Sequence, residues 1–235
     1  MIRKIIIDPR GNLHYYKRGD FHTQFGFLKE KDIKNGFVKS SKGENFVVFD
    51  AHFIDSLHEI KRGPAIMHYK DIGLIISTTG VGKNSKVVDA GSGCAHLSSY
   101  LAGIGCEITS YEINTNFYKI AKENTESLKL KVKIKEKDIY EGIDEKNLDL
   151  ITLDLLEPWR VTEHAYKSLK SGAFLVSYIT NINQMQEFVK SLENKFYLWK
   201  VSETLEREWI VEGLKVRPKH HMLAHTGFLV FARKI

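Results

Sequence analysis

Four carboxylates stand where they could act on one ligand: Asp89, Glu112, Asp138 and Asp154. Each follows a short run of apolar or β-branched residues, so each is expected at or just past the end of a strand. Asp89 opens the turn Asp89-Ala90-Gly91-Ser92-Gly93. Two glycines after a strand let a ligand approach the backbone before a helix begins. Glu112 comes roughly twenty residues after Gly93, the separation at which an acid holds a ribose diol. Asp138 can accept a hydrogen bond from an exocyclic adenine amine. Asp154 lies in Leu153-Asp154-Leu155-Leu156-Glu157-Pro158-Trp159, where a strand delivers a free carboxylate and a proline and an aromatic shape a wall beyond it. Such a carboxylate suits a ring nitrogen whose alkylation creates positive charge, because it can take a proton or stabilise the cation.

The glycine turn also bears on which nucleoside-bearing cofactor would bind. A dinucleotide fingerprint calls for a third small residue three positions after the second glycine. Here that position is His96. Acid-x-Gly-x-Gly at a strand end is instead similar to the first motif of class I S-adenosylmethionine (SAM) methyltransferases. Members of that class acting on exocyclic base amines often carry a D/N-P-P-Y/F motif, which is absent here. The alternatives are a tight turn without a ligand, an NAD site, and an Asp154 that only caps the turn after it.

The elements needed to place these residues can be read from the pattern. Residues 1–60 are β-rich, with runs at 5–7, 13–16, 37–38 and 46–49 separated by turn signals. From about residue 65 helices and strands alternate. Helices are expected at 71–79, 95–102, 115–128, 163–169 and 183–192. Strands are expected at 86–89, 107–111, 132–134, 148–155 and 173–178, with 198–201 and 228–232 as a closing antiparallel hairpin. This predicts an α/β fold: a small β-rich domain (1–60) before a Rossmann-like domain (61–235), with ligands at the carboxyl ends of the strands.

The bulk properties restrict the function class. Apolar content of 43% with 27% charged residues belongs to a globular protein. No apolar run approaches the length of a membrane span, and residues 1–7 lack a signal-peptide core, so no membrane is expected and the cytoplasm is the default location. Cys94 and Cys106 have no metal-type spacing and read as free thiols, so no metal is expected. The formal charge of +6 permits a polyanionic partner without establishing one. Lys129, Lys131, Lys133, Lys135 and Lys137 alternate with apolar residues and read as the solvated face of a strand.

Over almost its whole length the chain resembles the tRNA (adenine-58)-N1 methyltransferases of the TrmI type, the archaeal branch most closely. The resemblance is carried by Arg18-Gly19-Asp20, Lys61-Arg62-Gly63-Pro64, Tyr69-Lys70-Asp71-Ile72-Gly73 and Asp89-Ala90-Gly91-Ser92-Gly93. It continues in Tyr111-Glu112, Leu153-Asp154, Pro158-Trp159, Glu206-Arg207-Glu208-Trp209, Arg217-Pro218 and His225-Thr226-Gly227-Phe228. The resemblance implies a homotetrameric enzyme that uses SAM to methylate N1 of adenine in the tRNA T-loop, with archaeal members sometimes modifying the neighbouring adenine as well. It implies Asp154 as catalytic acid within the cofactor site, Glu112 and Asp138 as ribose and adenine ligands, and Asp89, Gly91, Gly93 and the backbone near Leu97 around the methionine side. Trp159, Arg207, Arg217 and His225 are the candidate substrate contacts. The chain departs from the family pattern at Leu156, where a proline is usual, and at Cys94-Ala95-His96, while His68 occupies a place often taken by tyrosine or histidine. The competing functions are a SAM enzyme on a small molecule such as a corrin precursor, a non-catalytic RNA-binding subunit, and an NAD-dependent enzyme.

Overall fold

The computed structural model describes residues 2–63 and 66–235. Contacts divide the chain into two units, Met1–Lys61 and Arg62–Ile235.

In the first unit, β1 (Lys4–Ile7), β2 (Leu13–Tyr16), β5 (Gly36–Lys39) and β6 (Asn45–Asp50) form an antiparallel sheet in the order β2-β1-β6-β5. Between β2 and β5 a separate small hairpin is made by β3 (Phe21–Thr23) and β4 (Gly26–Leu28). Ile6, Tyr16, Leu28, Phe46 and Val48 build the core on one face of this sheet. A short helix, α1 (Phe53–Ser56), follows β6.

The second unit begins with α2 (Tyr69–Thr79), closed by Gly80 in the left-handed region, whose amide donates to the Ile76 carbonyl at 2.9 Å. Then come β7 (Lys86–Ala90), α3 (His96–Gly103), β8 (Glu107–Glu112), α4 (Thr115–Ser127), β9 (Val132–Glu136) and β10 (Leu148–Leu153). The chain continues through α5 (Thr162–Ser168), β11 (Leu169–Ile179), α6 (Ile182–Ser191) and β12 (Phe196–Ser202). It finishes with β13 (Trp209–Glu212), β14 (Lys215–Pro218) and β15 (Phe228–Lys234).

Seven strands make one sheet in the order β12-β15-β11-β10-β7-β8-β9. Pairings from β11 to β9 are parallel, and those of β15 with β11 and β12 are antiparallel. Successive strand residues point to opposite faces, and here both faces are apolar. Val88, Ile151 and Leu175 join the core containing Phe188 and Val230. Their neighbours Val87, Leu150 and Val176 join the core containing Ile72, Ile75 and Leu101. The chain runs outward from β7 through β8 to β9, then returns to β10 on the other side of β7. This reversal opens a crevice at the carboxyl ends of β7 and β10, where open α/β sheets bind ligands.

Several expectations are refined. The strand expected at 148–155 stops at Leu153, leaving Asp154 beyond the pairing. The strand expected at 173–178 starts earlier, at Leu169. The closing strands do pair antiparallel, but residues 203–227 between them carry a separate hairpin, β13–β14, that the pattern did not reveal. The lysine run is solvated only in part. Lys135 Nζ reaches Asp144 at 2.8 Å and Glu145 at 2.5 Å, and Lys137 reaches Asp144 at 2.6 Å, because the chain after β9 carries acids back beside this edge. No helix among the described residues is long and apolar enough to cross a membrane.

Candidate active site

The turn after β7 winds through three left-handed residues: Gly91 (φ 80°), Gly93 (φ 54°) and Ala95 (φ 61°). Gly91 cannot carry a side chain: a Cβ there would lie 2.2 Å from the Asp154 carbonyl oxygen. The turn is held from both sides of β7. The amides of Gly91 and Ser92 donate to the Tyr111 carbonyl at 3.2 and 3.1 Å, and the Asp154 amide donates to the Ala90 carbonyl at 2.9 Å.

Beside this turn lies a cavity of about 580 Å³ lined by Asp89, Gly91, Gly93, Leu97, Glu112 and Asp154 among others. Six of the residues expected at the cofactor are thereby brought together. Asp138 is not among the lining residues. Its Oδ1 accepts from the Tyr140 amide at 2.8 Å, which caps the turn after it and sets the Tyr140 side chain in the cavity wall. Leu156 is 79% exposed and stands at the same wall, in place of the family's proline. Trp159 lies outside the lining, in the short turn Pro158–Val161.

The two acids at the turn have different surroundings. Asp89 is buried, and its carboxylate accepts from three hydroxyls: Thr152 at 2.8 Å, Ser110 at 3.1 Å, and Ser98. Burial pushes its carboxyl up. These hydrogen bonds tie the end of β7 to α3, β8 and β10. Glu112 Oε2 accepts from the Gly93 amide and Oε1 from the Asn114 amide, both at 2.9 Å. Each Glu112 oxygen keeps a second lone pair, enough for the two hydroxyls of a ribose.

Asp154 faces the solvent of the cavity yet is ringed by protein. That enclosure, reinforced by the charge of Asp89, raises its carboxyl to about 6. A second cavity, about 300 Å³, is lined by Met67, His68, Asp154, Tyr178, Thr180, Leu223, His225 and Thr226. The two cavities share Asp154, Ile66 and Met67. One carboxylate therefore stands between the two cavities.

Of the four residues expected at the substrate, His225 lines the smaller cavity, with Nδ1 at 2.9 Å from Glu203 and Nε2 at 3.2 Å from the Thr180 carbonyl oxygen. The Glu203 hydrogen bond raises its pKa. Arg207 and Arg217 line neither cavity. Arg207 lies 6.0 Å from the centre of the Trp209 ring, and Arg217 donates to the Pro218 carbonyl at 3.2 Å. Sequence reasoning missed Tyr178, Thr180 and Tyr140. Tyr178 sits in an apolar run and looked like core, whereas Tyr140 could have been found as the aromatic two residues after Asp138.

Comparisons with known proteins bear on this arrangement. The family described as "tRNA methyltransferase complex GCD14 subunit" matches residues 58–217. The tRNA (adenine(57)-N(1)/adenine(58)-N(1))-methyltransferase TrmI of Methanocaldococcus jannaschii is 32% identical, covering 98% of this chain and 94% of its own. Among solved structures, the tRNA (m1A58) methyltransferase TrmI of Aquifex aeolicus superposes with a TM-score of 0.83 at 26% identity, covering 99% of this chain and 96% of its own. A SAM-dependent O-methyltransferase of Thermotoga maritima superposes with a TM-score of 0.86 at 27% identity, covering 100% and 93%.

Proposed function

The chain belongs to the family of the tRNA methyltransferase complex GCD14 subunit, and on that premise we propose that it is a SAM-dependent tRNA (adenine-N1)-methyltransferase. It acts at adenine 58 of the T-loop, with adenine 57 as a second acceptor on the pattern of its M. jannaschii relative. The observation that carries this reading is the placement of Asp154 between the two cavities.

The larger cavity fits SAM. Its volume of about 580 Å³ suits a nucleoside cofactor, Gly91 and Gly93 clear the backbone beside it, and Glu112 offers its free lone pairs to a ribose diol. Leu97 and the turn 91–93 would flank the methionine end, and Asp138, two residues before Tyr140 of the cavity wall, is the candidate for the adenine amine. When bound there, SAM supplies an electrophilic methyl group on a sulfonium. In the smaller cavity the target base lies against Asp154, with His68, Tyr178 and His225 around it. Methyl transfer to N1, with the methyl–sulfur bond breaking to leave a neutral thioether, would make the adenine cationic. The Asp154 carboxylate stabilises that charge and accepts a proton from the exocyclic amine. The base must leave its stack to enter, at a cost of a few kcal/mol.

The RNA backbone is read by Trp159 in the turn Pro158–Val161, the exposed Arg207 just before β13 and Arg217 in β14, helped by the net charge of +6. The chain works in the cytoplasm as a homotetramer. Self-association is supported by the edge strand β12, which presents Tyr197, Trp199 and Val201 at 63%, 49% and 38% exposure. A non-catalytic subunit would not need the glycine turn and its acids, and a corrin methyltransferase would not need the first β unit.

Transfer of labelled methyl groups to a tRNA transcript tests the reading. Incorporation that disappears when the T-loop adenines are replaced by guanine is the expected result. Incorporation that persists would place the acceptor elsewhere.

A further inference from the structure

The smaller cavity is held by a polar network that the proposed chemistry does not use. Lys70 and Asp71, at the start of α2, are 7% and 0% exposed at their side chains. Lys70 Nζ donates to Asp71 Oδ1 at 2.8 Å and to Thr226 Oγ1 at 2.6 Å. Thr226 Oγ1 in turn donates to Asp71 Oδ2 at 2.8 Å. The three side chains close a triangle across 155 residues of chain. A buried ion pair of this kind is a poor source of stability, because desolvation offsets most of the attraction. What such a pair supplies is direction: each atom has one place to be.

The surroundings show what is being directed. His68 precedes Lys70 by two residues, and Leu223 and His225 lie just before Thr226; all three line the cavity that contains Asp154. Tyr178 is a further lining residue, and its phenol meets the Thr226 side chain. Its ring rests on the next residue, Gly227, where a Cβ would come within 2.6 Å of Tyr178 Cζ. Tyr178 is thus boxed by Gly227 beneath the ring and by Thr226 at the hydroxyl. The Thr226 hydroxyl joins the α2 side, the Tyr178 side and the 223–226 wall.

We propose that Lys70, Asp71 and Thr226 are positioning residues that fix Tyr178 and the 223–226 wall so that the methyl acceptor is held against Asp154. This rests on the functional reading given above. A shift of about 1 Å at a reacting centre can cost about a hundredfold in rate, so loosening this triangle is expected to be read in turnover before it is read in binding.

Thr226→Val keeps the shape of the side chain and removes the hydroxyl. In the full-length protein, with a T-loop-containing tRNA transcript, its kcat is expected to fall by about 10- to 100-fold. SAM affinity by calorimetry and KM for tRNA are expected to stay within about twofold, too small a change for a lost contact. Thr226→Ser, which restores the hydroxyl, is expected to recover kcat to within about threefold. If Thr226→Val does not fold, Thr226→Ala removes the same hydroxyl without adding a methyl and carries the same test. A kcat unchanged on loss of the hydroxyl, a serine variant that recovers nothing, or a parallel loss of SAM affinity would each overturn the proposal. Absence of methyl transfer by the unaltered chain overturns the functional reading and this proposal with it, whereas transfer that Thr226→Val leaves intact overturns this proposal alone.

Discussion

In the proposed role Asp154 has to be charged, and its surroundings work against that charge. Enclosure by protein and then the neighbouring Asp89 lift its carboxyl from 3.8 to about 6. A base poised there is ionised near neutral pH and still basic enough to take a proton. The turnover rate is therefore expected to rise as pH increases through about 6 and to level off above it. Asp154→Asn is expected to lose about 10²- to 10⁴-fold in kcat while still binding SAM, as kinetics and calorimetry together would show. The same shift carries a stability cost of definite sign. The folded state holds the Asp154 proton more tightly than the unfolded state, so stability falls as pH rises between 3.8 and about 6 and stays reduced above. Asp154→Asn should then melt higher near pH 7, by about 2–4 °C for each kcal/mol relieved, with solvent in the open cavity discounting the full shift. The gain should vanish below pH 3.8, where the carboxyl is protonated in both states.

At the scale of elements, the site depends on how closely the turn after β7 crosses the end of β10. Gly91→Ala forces a Cβ to 2.2 Å from the Asp154 carbonyl oxygen at a φ of +80°. The expected cost is about 1–3 kcal/mol from backbone strain alone, together with loss of SAM binding. Gly73, exposed in the middle of α2 with no atom within 4 Å of the place a methyl group would take, is the matched control. Gly73→Ala is expected to stabilise by roughly 0.5–1 kcal/mol in denaturant unfolding and to leave SAM affinity alone. The parallel strands and their acids were legible because strands buried on both faces read as unbroken apolar runs, and the residue that ends such a run stands at the sheet edge. Hairpin β13–β14 was not legible, because Val211, Leu214 and Val216 are exposed at 72%, 105% and 59% and no buried face imposes a period on them. Nor was the Lys70–Asp71–Thr226 triangle, since nothing local in the sequence marks a contact made across 155 residues. Tyr178 was hidden for the opposite reason: its neighbours in β11 are core, and only tertiary structure shows that its side chain reaches a cavity.

For the molecule as a whole, the edge strand β12 and the charge are the features that look outward. An edge strand presents unpaired backbone groups that a second copy can satisfy. Trp199 stands on it at 49% exposure, with the Arg233 guanidinium 5.4 Å from its ring centre. Trp199→Glu places a charge on that surface and is expected to shift sedimentation toward smaller species; unchanged sedimentation would move the self-association surface elsewhere. Binding of tRNA is expected to weaken steeply with salt, because contacts to phosphate release counterions. The central claim, that Asp154 and its two cavities transfer a methyl group to N1 of a tRNA adenine, is tested most directly by mass spectrometry of nucleosides from tRNA incubated with the protein and SAM. The account predicts 1-methyladenosine at position 58, formed at least about a hundredfold more slowly when Asp154 is replaced by asparagine. Recovery of tRNA without 1-methyladenosine, or with its methyl group on another base, would contradict it.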